Sequence, residues 1–298
     1  MWNRARRGAG CLERREGLWH CGGVIAAIAF VYGLVVGSFL NVCIRRIPSG
    51  ESIVRPASRC PKCKTPIRPW DNIPVVSYVL LRGRCRACGA PISAVYPAVE
   101  LLTALLFLFC YLQFGLTLEA AKWTLFSAIL IVLVFTDIFE RILPDRVNFA
   151  GLGAGLVFAA LVPVGDGSAL WLANRWFDFP PPAAALSVVD AVLGAVVGSG
   201  LLWAVAEGYF RLRGREGMGL GDVKMMAMAG AFLGVKKTLL TILAGSLLGS
   251  ILGMLFILMF RKEGDYELPF GTFLGAGALL AIFFGAPLLE WYGSLFPS

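Results

Sequence analysis

The sequence predicts an all-α polytopic membrane protein of about eight transmembrane helices, with a small cysteine-bearing polar insertion between the first and the second. Three observations lead there. Of the 298 residues, 58% are hydrophobic and only 15% charged, and the charges cluster so that long apolar runs lie between them. Uncharged stretches run from Cys21 to Ile44, Leu101 to Leu118, Val147 to Gly165, Ala191 to Ala206, Thr238 to Phe260 and Leu268 to Leu289, most approaching the ~20 residues that span hydrocarbon. Two shorter runs, Trp123 to Thr136 and Met225 to Val235, complete the eight when their charged flanks are taken into the helix. Only one sizeable polar segment interrupts the series, from about Arg45 to Ser93.

Residues 1–21 read as an N-terminal extension and 22–44 as the first transmembrane helix, which Pro48 stops because its ring cannot continue the helical ladder. A cleaved signal peptide fits poorly, since the first apolar run is long and ends in basic sequence without a small-residue cleavage site. Residues 45–93 form the insertion, and 94–298 read as one helical membrane domain with short connections. Glycines recur within the runs, at 151, 153 and 155, at 194, 198 and 200, and at 245, 249 and 253, a pattern that implies close helix packing.

The side of a membrane that keeps the short basic loops is the cytoplasmic one. Placing Arg45–Ser93 inside leaves 18 Lys and Arg in the inner loops and 9 in the outer ones, ten of the 18 in that one segment. The arginines of the N-terminal extension, Arg4, Arg6, Arg7, Arg14 and Arg15, count the other way. The formal net charge of +8 concentrates at membrane-flanking loops, so anionic lipid headgroups rather than nucleic acid are its expected partner.

Within the insertion, Cys60-Pro-Lys-Cys63 and Cys85-Arg-Ala-Cys88 are two C-x-x-C knuckles separated by 21 residues. Four thiolates at such spacing close a tetrahedral zinc site, and a short polar segment without an adequate core gains folding free energy from the metal. One structural zinc per chain is expected, on Cys60, Cys63, Cys85 and Cys88. The alternative is two disulfides, against which a reducing cytoplasmic setting argues. Cys43 and Cys110 read as apolar helix fillers, while the sole histidine, His20, sits at the membrane edge.

With no G-x-S-x-G, no H-E-x-x-H and no histidine in the membrane domain, paired carboxylates are the expected hydrolytic machinery, the alternative being that Asp137 and Asp222 merely cap helices or pair with Arg and Lys. Between Lys122 and Asp137 stand 14 uncharged residues, too few to cross hydrocarbon, which draws Asp137 into the final turns of its helix. Eleven stand between Lys224 and Lys236, so that helix begins near Asp222, behind Gly217-Met218-Gly219-Leu220-Gly221. The alternating glycines suit close backbone approach and positive φ. Both carboxylates fall on one side of the membrane, where two that share a proton work as base and acid around one water. Asp222, at a helix N-terminus, is the expected base, and Asp137 the acid.

Together these strings resemble the type IV prepilin peptidase family, the bifunctional leader peptidases and N-methyltransferases of pilus and type II secretion systems. The resemblance runs from about Gly37 to Gly275 and is carried most specifically by Thr136-Asp137 with Leu143-Pro144-Asp145, and by Gly219-Leu220-Gly221-Asp222-Val223-Lys224. Gly37-Ser38-Phe39-Leu40-Asn41-Val42, the two knuckles, Trp70-Asp71-Asn72-Ile73-Pro74 and Leu268-Pro269-Phe270-Gly271 are similar as well. Thr272 departs from the family pattern, which leads to an expected proline there. The resemblance implies Asp137 and Asp222 as the catalytic pair. It also implies an inner-membrane enzyme that cuts a prepilin or pseudopilin after glycine at the cytoplasmic face. S-adenosylmethionine is the implied methyl donor for the new N-terminus, with Asn41, Trp70, Asp71, Asn72 and Glu100 as candidates for its site. The competing readings are a peptidase whose zinc module is purely structural, and a transporter with intramembrane carboxylates.

Overall fold

The computed structural model describes residues 13–176, 181–215, 217–260 and 269–295. Most of the extension, Cys11 included, lies outside them, as do Glu216, Glu263, Asp265, Glu267 and Leu268. The chain divides into two compact units: one takes in the chain up to Asn41 together with Ala57–Leu116, the other Val42–Pro56 with the chain from Thr117 onward.

In the first unit, the part of α1 (Glu13–Arg46) up to Asn41 packs along α3 (Val95–Phe114). Glycine permits the approach: a Cβ on Gly33 would lie 2.6 Å from the Cα of Ala104, and one on Gly37 2.7 Å from the Cα of Glu100. The rest of the unit is the cysteine module, a 3-10 turn at Pro69–Asn72 and the short α2 (Val76–Leu80).

The second unit is a helical bundle of α4 (Leu118–Glu140), α5 (Asp145–Leu161), α6 (Ser168–Trp176), α7 (Ala183–Arg213), α8 (Leu220–Phe260) and α9 (Phe270–Ser294). Local signals set the ends. The Thr117 hydroxyl accepts the Ala120 N–H at the start of α4, and Gly214 turns left-handed to close α7. Its core is fully buried Phe126, Leu130, Met225, Met228 and Phe232, with Phe126 stacked on Phe232 at 4.6 Å.

Six helices, not eight, are long and apolar enough to cross a membrane among the described residues. The run from Val147 to Gly165 gives only the 17-residue α5, and the two runs Met225–Val235 and Thr238–Phe260 are joined in α8. Gly234 breaks α8 with φ 74 and ψ 179. Past that break the helix reverses. Gly245 and Gly249 pack on Leu274 and Phe273 of α9, and the neighbouring Gly271 lies at Asp222, so the second limb returns to the end where the first began. A side chain at 234 would combine a positive φ with a Cβ 2.9 Å from the Cβ of Asp166. Asp166 completes the turn: its carboxylate accepts the Lys236 N–H at 2.9 Å, one of the orphan donors of the new helix start.

Candidate active site

Asp137 lies in the last turn of α4 and Asp222 in the first turn of α8. Both are buried, at 6% and 7% exposure. They meet at the start of α9: a Cβ built on Gly271 would be 3.1 Å from Asp137 Oδ2 and 3.1 Å from Asp222 Oδ1. Those two oxygens are therefore separated by no more than twice that distance, so the two carboxyl groups border one small space at Gly271. Glycine at 271 keeps the space between them open.

Leu143 forms the adjoining wall. A Cβ on Gly221 would come 3.0 Å from Leu143 Cβ, and one on Gly271 2.9 Å from Leu143 Cδ1. Close approach thus explains Gly221, whereas the positive φ expected of the glycines is not adopted at Gly219 or Gly221. Gly221 already lies within α8. Asp145, the third acid nearby, is engaged elsewhere, since Lys224 Nζ stands 2.8 Å from both of its carboxylate oxygens.

Sequence reasoning named Thr272 only as a departure. In the fold its backbone N–H donates to Asp137 Oδ2 at 2.7 Å and its hydroxyl to the same oxygen at 3.0 Å. No spacing rule links positions so far apart in the chain.

The cysteine knuckles form a separate candidate metal centre within the first unit. Cys60, Cys63, Cys85 and Cys88 are free thiols whose sulfurs lie within 4.8 Å of one another. A tetrahedral zinc with bonds of 2.3 Å spaces its sulfurs by ~3.8 Å, so the set fits this ion after a small contraction. The two knuckles repeat one another. Cys60 N–H donates to Thr65 O and Lys64 N–H to Cys60 O, as Cys85 N–H does to Ala90 O and Gly89 N–H to Cys85 O. The Thr65 hydroxyl, 3.2 Å from Cys63 Sγ, lowers the Cys63 thiol to about 6, poised for the thiolate form that a metal binds.

The five methyl-donor candidates all lie in the first unit, three of them with hydrogen-bond partners of their own. The Asn41 amide donates to Tyr96 O at 3.0 Å. Asp71 is held by Arg86, whose guanidinium contacts both oxygens and keeps the carboxyl below its ordinary range. Glu100, buried in α3, accepts the N–H of Val75, the residue that opens α2. Trp70 and Asn72 are exposed.

The chain matches the family model described as "Bacterial Peptidase A24 N-terminal domain" over residues 31–114 and that of the "Type IV leader peptidase family" over residues 124–254. It is 33% identical over 290 residues to the prepilin leader peptidase/N-methyltransferase of Aeromonas hydrophila, covering 89% of this chain and 93% of that one. The protein of the same name from Pseudomonas aeruginosa is 35% identical over 283 residues, covering 87% and 90%. The one from Myxococcus xanthus is 39% identical over 243 residues, covering 82% of this chain and 66% of its own length. No solved structure matches significantly. Two adjoining family models and relatives alike over most of their length place this chain in the type IV leader peptidase family.

Proposed function

We propose that this multi-pass membrane protein removes the basic leader of prepilins or pseudopilins after glycine, with Asp137 and Asp222 as the catalytic pair. The convergence of their carboxylates on Gly271 carries the reading. One aspartate takes a proton from water as it adds to the scissile carbonyl, while the other, protonated, donates to the carbonyl oxygen. Collapse breaks the C–N bond, and the abstracted proton passes to the departing amine.

The positions fit a substrate whose apolar helix lies in the bilayer and whose leader junction meets the protein near the headgroups. In this reading α5 and the two limbs of α8 supply the crossings beyond the other five long helices, making eight. The ends of α4 and the starts of α8 and α9 then face the cytoplasm of an inner membrane, as does the zinc module. Acids on that face suit the leader's Lys and Arg: Glu140 is exposed, while Asp145 and Glu207 are paired with Lys224 and Arg211.

The second half of the proposal is methylation of the new N-terminus from S-adenosylmethionine. Its support is the name that the similar proteins carry and the presence of the cysteine module. Purified protein with a synthetic prepilin tests both halves. Cleavage must appear and must be lost in Asp137→Asn and Asp222→Asn; mass spectrometry of the product must show one added methyl when the donor is supplied.

A further inference from the structure

We propose that Thr272 is a positioning residue that fixes the Asp137 carboxylate and selects which of its oxygens meets the substrate water, an inference that rests on the aspartate pair proposed above. Thr272 is the third residue of α9, in the turn whose N–H groups have no acceptor within their own helix. It gives that N–H to Asp137 Oδ2 at 2.7 Å, from a different helix. Its hydroxyl, 3.0 Å from the same oxygen, has Val134 O as its other acceptor at 3.5 Å, so the shorter bond goes to the carboxylate.

Donor and acceptor accounting gives the consequence. A backbone N–H only donates, so Oδ2 must present a lone pair to it, and the hydroxyl occupies the second. Oδ2 is then saturated, and the oxygen of Asp137 left to handle a water or the pair's proton is Oδ1. The two donors also hold the carboxylate in place in the final turn of α4. A proline at 272 would supply neither donor.

The test measures kcat and KM for cleavage of a synthetic leader–pilin peptide by Thr272→Val and Thr272→Ser, beside Asp137→Asn and Asp222→Asn. Valine keeps the branched shape and the N–H but removes the hydroxyl; serine keeps both donors. Thr272→Val is expected to lower kcat roughly tenfold, the loss of one hydrogen bond to a charged group, with KM little changed. Thr272→Ser is expected to restore kcat. Should Thr272→Val fail to fold in detergent, Thr272→Ala is read in the same way. Wild-type kcat in the valine variant, or a serine variant as slow as valine, overturns the clamp. Cleavage surviving in either asparagine variant instead overturns the aspartate pair, so the two failures are distinguishable.

Discussion

Lys224 holds both carboxylate oxygens of Asp145 at 2.8 Å, tying the start of α5 to the first turn of α8 two residues beyond Asp222. The two side chains are 36% and 54% exposed, so the pair contributes only ~0–1 kcal/mol to stability. Asp145→Asn is expected to fold and to cleave prepilin within a few-fold of wild type, while Asp137→Asn and Asp222→Asn are inactive. A loss at Asp145 equal to theirs would transfer the catalytic assignment to it.

Metal analysis of the purified protein is expected to find one zinc per chain, absent from Cys60→Ser and Cys88→Ser. A chelator that strips this zinc should leave peptide cleavage intact, because the proposed chemistry needs only the two carboxylates. Cleavage that falls on chelation and returns with zinc alone would point to a metalloprotease.

The repeat of the knuckles makes a finer prediction. Lys64 and Gly89 occupy equivalent places, with φ 60 and φ 67, but only glycine adopts that region without a Cβ penalty. Lys64→Gly should therefore tighten the first knuckle by about 1 kcal/mol, and Gly89→Ala loosen the second by a similar amount. Zinc release against a competing chelator reads both; equal behaviour of the two variants would contradict the structural equivalence.

Helix packing can be tested at α7. A Cβ on Gly194 would collide with Gly230 O and lie 2.8 Å from the Cα of Gly234, where two backbones have no side chain to move aside. Gly194→Ala is expected to cost about 1–3 kcal/mol, and Gly200→Ala, with nothing within 4 Å, essentially none. Thermal unfolding in detergent compares them. Equal midpoints would show that the helices are not packed backbone to backbone at this crossing.

The glycine triplets show how far the sequence reached. Gly151 and Gly155, Gly194 and Gly198, and Gly245 and Gly249 meet neighbouring helices, because residues four apart share a helix face. Gly153 and Gly200, off that spacing, face open space. Composition alone could mark all of them as small; which were needed follows from the direction each Cβ takes. Likewise the hydropathy runs announced the helices but not how they join. The runs Met225–Val235 and Thr238–Phe260 look like two separate spans, and only the reversal at Gly234 reveals one element folded back on itself.

By itself the sequence determined the membrane class, the two cysteine knuckles, and the places of Asp137 at a helix end and Asp222 at a helix start. Each is a local property: apolar length, ligand spacing, or the distance of a charge from the next charge along the helix. Tertiary structure decided which acids converge, leaving Asp145 paired with Lys224, and it brought Thr272 to Asp137 across 135 positions of chain. It also committed Asn41, Asp71 and Glu100 to bonds within their own unit. Such partners are fixed by how whole helices pack, and a carboxylate's neighbours in space leave no periodic trace along the chain.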